Sequence, residues 1–285
     1  MSNVWFITGS SRGLGRALTR AALQAGHRVA ATARNPAQLA DLVQDYRNRI
    51  HPLRLDVTDP TAAVSTLASA RAEFGRVDVV VNNAGYANVA PIETGDDGDF
   101  RAQFETNFWG VYNVSKAAIP VLRKQGGGTI IQISSMGGRT GGSAGIASYQ
   151  AAKFAIDGFS RVLATETEPF GIKVMVVEPS GIATDWAGSS MQMGDIPDRY
   201  AATVGAMHAI RESDAVRAGD PVRAAEIIVA VAQRTQLPYH LPLGVMAVEA
   251  AAAQDEDLLA EDRRWAALGR SVDFDEPYPV GLPDE

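Results

Sequence analysis

The chain has 285 residues, 46% of them hydrophobic, and carries a net charge of −7 from 26 basic and 33 acidic side chains. That length and apolar content can bury one sizeable core without a second domain, while the acidic balance argues against a nucleic-acid partner, which wants a basic face. The chain has no cysteine, so disulfides, zinc–thiolate sites and thiol catalysis are excluded.

The first predicted element is a short apolar strand, Val4–Ile7, followed at once by a Gly/Ser-rich turn over 9–15. A helical pattern over 14–25 comes next and stops at Gly26. A second strand is expected over 28–33, then a helix over 36–46, a strand over 53–55, a helix over 60–74 and a strand over 77–81. Such alternation is the signature of βαβ units and a parallel sheet. Near-continuous apolar runs such as Val77-Asp78-Val79-Val80-Val81 suit strands covered by helices on both faces.

The second half repeats the pattern. A long helix is predicted over 100–124, broken by Gly126-Gly127-Gly128, then a strand over 129–133. A glycine-rich loop over 137–145 leads to a second long helix over 148–168 and a sixth strand over 173–177. Residues 185–218 are irregular and rich in Ala and Met; a helix over 221–234 and a tail helix over 247–268 precede an acidic, Pro-rich end. No linker or repeat of 20–50 residues divides the chain, so one α/β domain with a Rossmann-type doubly wound sheet is expected over 1–285. Within it, 1–184 form the dinucleotide-binding and catalytic core, 185–218 the substrate loop and 247–285 the C-terminal helix and tail. Residues 1–10 lack the pattern of a signal peptide, and no run approaches the ~20 apolar residues of a membrane span. The cytoplasm is therefore the expected location, with no membrane partner.

The turn Thr8-Gly9-Ser10-Ser11-Arg12-Gly13-Leu14-Gly15 joins the first strand to the first helix. Glycines there allow close approach to a pyrophosphate, and the helix start offers free N–H groups. In this strand–turn–helix context the motif points to a dinucleotide. At the end of the second strand, Ala33-Arg34-Asn35 offers no acid for a ribose hydroxyl pair. Arg34, with Arg12 on the other side, matches a 2′-phosphate in geometry and charge. NADP(H) is thus expected over NAD(H), unless both arginines are merely solvated.

Tyr149 and Lys153 stand four apart at the start of a predicted helix and so share one face. A neighbouring ammonium is expected to lower the phenol pKa towards neutrality, which suits proton exchange with a substrate hydroxyl. Ser134-Ser135 ends one strand and Asn82-Asn83-Ala84-Gly85 another, and doubly wound sheets bind ligands at such carboxyl ends. Asn107 falls inside a predicted helix, an unfavourable place for it; it either serves the site or satisfies a local backbone group.

Taken in order, these stretches resemble the short-chain dehydrogenase/reductase family, as do Asp56-Val57 and the segment from Pro179 to Thr184. The resemblance implies an NADP(H)-dependent oxidoreductase that interconverts a carbonyl and an alcohol. It implies Tyr149 as general acid/base and Lys153 as the residue that holds the nicotinamide ribose and acidifies the phenol. Ser135 would orient the substrate oxygen, with Ser134 as the alternative, and Asn107 would support a water-linked proton relay. Gly9, Ser11, Arg12, Gly13, Leu14 and Gly15 would line the phosphates. Asp56 and Val57 would contact the adenine, Asn83, Ala84 and Gly85 the adenosine ribose, and Pro179, Gly181, Ile182 and Thr184 the nicotinamide amide and pyrophosphate. Ser180 stands where the family commonly has glycine, and the gap from Ser135 to Tyr149 is one residue longer than the family pattern.

An apolar ketone, aldehyde or alcohol is the expected substrate, with Trp186, Met191, Met193, Ile196, Tyr200, Met207 and Ile210 either lining it or packing on the core. A carrier-linked 3-oxoacyl reductase and a cofactor-sensing regulator on the same fold are the alternative functions. The two long helices resemble those that pair subunits in the family, which implies a homodimer or homotetramer. The histidines at 27, 51, 208 and 240 show no metal-ligand spacing, and no metal is expected.

Overall fold

The computed structural model describes residues 2–184, 191, 193–212 and 219–283. Seven strands form one parallel sheet in the order β3-β2-β1-β4-β5-β6-β7: β1 (Val4–Ile7), β2 (Arg28–Ala33), β3 (Ile50–Arg54), β4 (Val79–Asn82), β5 (Gly128–Ile133), β6 (Ile172–Pro179) and β7 (His240–Leu243). The helices that cover it are α1 (Gly13–Gln24), α2 (Ala40–Tyr46), α3 (Pro60–Phe74), α4 (Asp97–Phe104), α5 (Gly110–Lys124), α6 (Ala147–Thr167), α7 (Ala206–Glu212), α8 (Pro221–Ala232) and α9 (Val245–Arg270). None is long and apolar enough to cross a membrane among the described residues.

Alternate strand residues face opposite helical layers, as the pleat requires. On β1, Trp5 and Ile7 join α1 and α8 in one core, while Val4 and Phe6 join α3 and α5 in the other. All four are fully buried, and burial of each large apolar side chain contributes roughly 1.5–3 kcal/mol. Because both faces are covered, the alternation is invisible as polarity and the strand reads as a plain apolar run.

Three readings of the sequence need correction. Both edge strands carry a proline, Pro52 in β3 and Pro242 in β7, which is tolerated at a sheet edge because no further strand needs that N–H. Pro52 hid the first half of β3, and Pro242 hid β7 altogether. The predicted helix over 100–124 is in fact α4, a π-helical segment over Glu105–Trp109, and α5. Its start was missed because Asp96, whose carboxylate accepts from the Asp99 N–H, caps α4 before any apolar residue appears.

The order of strands reverses between β1 and β4, since β1 leads outward to β2 and β4 leads outward to β5. Connections there leave the sheet to opposite faces and open a crevice beyond the carboxyl ends of β1 and β4.

Candidate active site

The floor of the crevice is the turn after β1, bolted to the segment after β4. The Thr8 hydroxyl accepts from the Asn83 and Ala84 N–H groups at 2.9 and 3.0 Å and donates to the Val81 carbonyl at 3.2 Å. Asn83 Nδ2 donates back to the Thr8 carbonyl at 2.9 Å. Thr8 was not singled out from sequence; a hydroxyl between a strand and a glycine turn was the available signal.

Glycine is required here by contact rather than by flexibility alone. A Cβ on Gly15 would lie 2.2 Å from the Gly9 carbonyl oxygen and 2.3 Å from Asn83 Nδ2. Gly9 and Gly13 have φ of +68° and +52°, where L side chains are strained. Gly13 also faces Thr184, whose Cβ is 3.4 Å from the place a Cβ on Gly13 would take. A Gly15→Ala substitution is therefore expected to weaken dinucleotide binding by more than about tenfold and to cost about 1–3 kcal/mol of stability. Isothermal titration and urea unfolding read the two effects, and unchanged affinity would contradict the placing of the phosphates on this turn.

Helix α1 opens without a cap: its N-cap residue, Arg12, makes no side-chain capping bond, and its first turn has no acid. Helices α3, α4 and α8 are each capped by an aspartate, Asp59, Asp96 and Asp220. Helices α2, α6 and α9 also start without a side-chain cap, but α1 is the one that opens on the glycine turn after β1, where its N–H groups and the positive end of its dipole can meet an anion. Together with the space kept by Gly9 and Gly15, this fits a dinucleotide pyrophosphate. Ser11 and Leu14 are half-buried members of the same turn.

Arg12 and Arg34 are both exposed at the rim, and among the described residues neither forms an ion pair with a carboxylate. The charge of Arg34 is felt by the Tyr86 phenol, whose pKa is raised by burial and by Asp99, with Arg34 and a Thr106 hydrogen bond opposing. Asp56 is exposed, and its Oδ1 accepts from the N–H and hydroxyl of Thr58 at 3.0 and 2.8 Å. Val57 is buried and packs against Gly110, where a Cβ would lie 2.5 Å from Val57 Cγ2. Its side chain therefore belongs to the core, and only its main chain can face an adenine.

Asn107 lies fully buried within the π-helical segment. Its Oδ1 accepts from the Tyr86 N–H at 3.0 Å and its Nδ2 donates to the Tyr86 carbonyl at 2.8 Å. Both ends of the amide thus clamp the main chain of Tyr86, 21 residues away and just past the end of β4. It remains beside the site, since a Cβ on Gly85 would lie 2.6 Å from Asn107 Oδ1 and 3.7 Å from Lys153 Nζ.

Tyr149 and Lys153 occupy the first turns of α6, both buried. The Ser135 hydroxyl hydrogen-bonds the Tyr149 phenol and accepts from the Gly137 N–H at 3.1 Å. Ser134 instead donates to the Lys153 carbonyl at 3.3 Å, so of the two serines it is Ser135 that meets the tyrosine. The longer gap between them is taken up by the loop containing Gly141, Gly142 and Gly145, all at positive φ. The Lys153 ammonium donates to the Ile133 carbonyl at 2.6 Å and lies 5.5 Å from the centre of the Tyr149 ring.

The expected acidification of the phenol is not found in the protein alone. Burial pushes Tyr149 up to about 12, with the Ser135 hydrogen bond opposing. Burial also pulls Lys153 down to about 8. The ammonium is held at a strand carbonyl and sits over the ring rather than at the phenol oxygen, so desolvation dominates. At neutral pH the phenol keeps its proton and is a donor.

The lysine shift has a measurable sign. In the unfolded chain Lys153 titrates at its ordinary 10.5 and in the folded chain at about 8. Between those values the unfolded chain binds the proton that the folded chain has released, so stability rises with pH. Tyr149 works oppositely only above its ordinary 10.0. From pH 8 to pH 10 the wild type should gain roughly 1–3 kcal/mol on Lys153→Met, and a constant difference in urea unfolding would contradict this.

The segment from Pro179 leads over the cleft. Pro179 is buried, Ile182 and Thr184 half-buried and Gly181 exposed. Ser180 is not at positive φ; its N–H donates to the Leu243 carbonyl at 2.9 Å, so serine is accommodated without strain. Beyond it, Met191, Ile196 and Tyr200 pack on a cluster of Ala87, Val89, Ile146, Tyr149 and Val204. Met193 and Ile210 have exposed side chains and Met207 is half-buried, and the main chain of Met193 pairs with Val89 of that cluster. Trp186 lies outside the described residues. A separate groove of about 710 Å³ between α3 and α5, lined by Val64, Tyr112 and Lys116 among others, shares none of these site residues.

Comparison with known proteins is consistent throughout the chain. The family model for short chain dehydrogenases matches residues 3–194. Oxidoreductase BOA17 of Botryotinia fuckeliana is 49% identical over 270 residues, which is 94% of this chain and 98% of that protein. A short-chain dehydrogenase structure from Streptomyces avermitilis superposes with a TM-score of 0.88 at 36% identity, over 95% of this chain and 98% of its own. A serine dehydrogenase in its closed form with NADP+ superposes with a TM-score of 0.73 at 25% identity, over 84% of this chain and 94% of that one.

Proposed function

The chain belongs to the short chain dehydrogenase family, and on that premise we propose that it is an NADP(H)-dependent oxidoreductase interconverting an apolar ketone or aldehyde and its alcohol. The observation that carries this reading is the buried Tyr149 phenol, hydrogen-bonded to Ser135 and beside Lys153, in the crevice served by the start of α1. NADP(H) rather than NAD(H) is supported by Arg34 at the end of β2, the absence of an acid there, and the exposed Arg12 across the turn. The NADP+ complex of the related serine dehydrogenase agrees with that preference.

Gly9, Ser11, Gly13, Leu14 and Gly15 would hold the pyrophosphate, with Thr184 above it. Asn83, Ala84 and Gly85 would face the adenosine ribose and Lys153 the nicotinamide ribose. Pro179, Gly181 and Ile182 would border the nicotinamide. When bound, the reduced nicotinamide supplies the hydride. Ser135 donates a hydrogen bond to the substrate oxygen and fixes it. Tyr149 delivers its proton to that oxygen as negative charge builds on it. The Lys153 ammonium stabilises the phenolate that remains until the proton is restored, with Asn107 fixing the backbone beside it. Met191, Ile196 and Tyr200 keep water from the reacting atoms and favour an apolar substrate.

Exposed apolar side chains on the two helices, Phe154 and Val162 on α6 and Trp109 before α5, support assembly as a homodimer or homotetramer. The function is tested by following loss of NADPH absorbance against a panel of aliphatic and aromatic ketones, aldehydes and a 3-oxoacyl thioester. Turnover of at least one carbonyl is expected, with NADPH favoured over NADH. NADPH binding without oxidation of any member would favour a cofactor sensor instead.

A further inference from the structure

The turn that follows Ser135 is tied down by a residue the proposed chemistry does not use. Met136–Gly138 form a single 3-10 turn with Ser135 as N-cap and Arg139 as C-cap. The Gly138 N–H donates to the Ser135 carbonyl at 2.9 Å, and the Arg139 N–H to the Met136 carbonyl at 3.0 Å. The Gly137 N–H donates to the Ser135 hydroxyl, so the turn sets where that hydroxyl points. The turn also packs on α6: a Cβ on Gly138 would lie 2.7 Å from the Lys153 Cβ.

The far end of the turn is fixed by the Arg139 guanidinium. One arm donates to Glu178 at 3.2 Å and the other to Asp255 at 2.5 Å. Glu178 is the residue before Pro179 at the end of β6, and its side chain is only 3% exposed. A carboxylate so buried needs a partner, because an unpaired buried charge is costly. His240 on β7 lies 3.6 Å from its other oxygen but is held closer, at 2.7 Å, by Asp157 of α6. Arg139 therefore makes the closer contact to Glu178. Asp255 brings in α9, a helix otherwise exposed over most of its length.

We propose that Arg139 is a positioning residue: clamped between Glu178 at the end of β6 and Asp255 on α9, it fixes the turn that aims Ser135 at the Tyr149 phenol. The clamp also joins the Ser135 turn to the Pro179 segment, so the two strand ends that flank the nicotinamide position move as one. The inference rests on the reading of Ser135 as the donor to the substrate oxygen. A planar guanidinium presents donors to two carboxylates in a fixed fork, whereas a lysine ammonium is a compact charge on a flexible stem and does not fix that geometry.

The test uses Arg139→Lys, which keeps a charge beside Glu178, and the double variant Arg139→Met/Glu178→Met, which removes both charges and leaves none buried alone. Amide exchange in the peptide covering 134–145 should be severalfold faster in both variants, with exchange in β1 and β4 unchanged. With 4-nitrobenzaldehyde as the carbonyl probe, kcat should fall by about tenfold to a hundredfold in the double variant and less in Arg139→Lys, with NADPH affinity by fluorescence unaltered. Unchanged exchange over the turn in both variants would overturn the proposal, as would a kcat loss that merely tracks the folded fraction. If the wild type oxidises NADPH with neither this aldehyde nor any other carbonyl, the oxidoreductase reading fails, and the exchange measurement still decides the role of Arg139.

Discussion

Replacing Tyr149 with phenylalanine is expected to lower kcat by about 10²- to 10⁴-fold while leaving NADPH affinity within about twofold. The ring is part of the apolar cluster with Ala87, Val89, Ile146 and Val204, and phenylalanine preserves that packing. Only the hydroxyl is lost, together with its hydrogen bond to the half-buried Ser135, which is worth about 0.5–1.5 kcal/mol. Thermal unfolding should therefore shift by only a few degrees. Steady-state NADPH oxidation and fluorescence titration separate the two quantities. A variant that keeps wild-type kcat would remove Tyr149 from the chemistry.

The second large effect concerns cofactor choice. A guanidinium bound to a 2′-phosphate makes charge-assisted hydrogen bonds worth about 1.5–3 kcal/mol, so Arg34→Ala should lower kcat/KM for NADPH by roughly 10- to 150-fold. The value for NADH should hardly change, because NADH carries a neutral 2′-hydroxyl in place of the charged phosphate. Arg12→Ala should add to the loss, and both effects should shrink in high salt since the two side chains are exposed. Arg34→Asp should go further and favour NADH, by supplying the acid that a ribose hydroxyl pair prefers. An unaltered NADPH/NADH ratio in Arg34→Ala would show that the arginine is simply solvated.

How much of this was legible in the sequence depended on whether the information was local. The strand–turn–helix from Val4 to Gln24 could be read directly, since an apolar run, a glycine turn and an amphipathic helix are contiguous. The doubly wound sheet followed from the alternation of such units. Local signals failed where proline meets a sheet edge, at Pro52 and Pro242, because only the missing neighbour strand makes proline acceptable there. The π-helical segment around Asn107 has no composition of its own, so it read as plain helix. The spacing of Tyr149 and Lys153 was visible, and so was their shared face. Their burial was not, and burial reverses the expected direction of the phenol pKa. The tie that Thr8 makes was not legible because its partners, Asn83 and Ala84, lie 75 and 76 residues on. The Arg139–Glu178 pair spans 39 residues and Arg139–Asp255 spans 116, and no short motif could have announced either.

A crystal structure with bound NADPH and a slowly reduced ketone would show whether a protonated phenol and a nicotinamide face one substrate oxygen in this crevice. The pyrophosphate should lie on the first turn of α1 and the carbonyl oxygen should be hydrogen-bonded to both Ser135 and Tyr149. The carbonyl carbon should stand about 3–3.5 Å from nicotinamide C4. A dinucleotide seated elsewhere, or a nicotinamide turned away from Tyr149 with no path for a ketone between them, would contradict it.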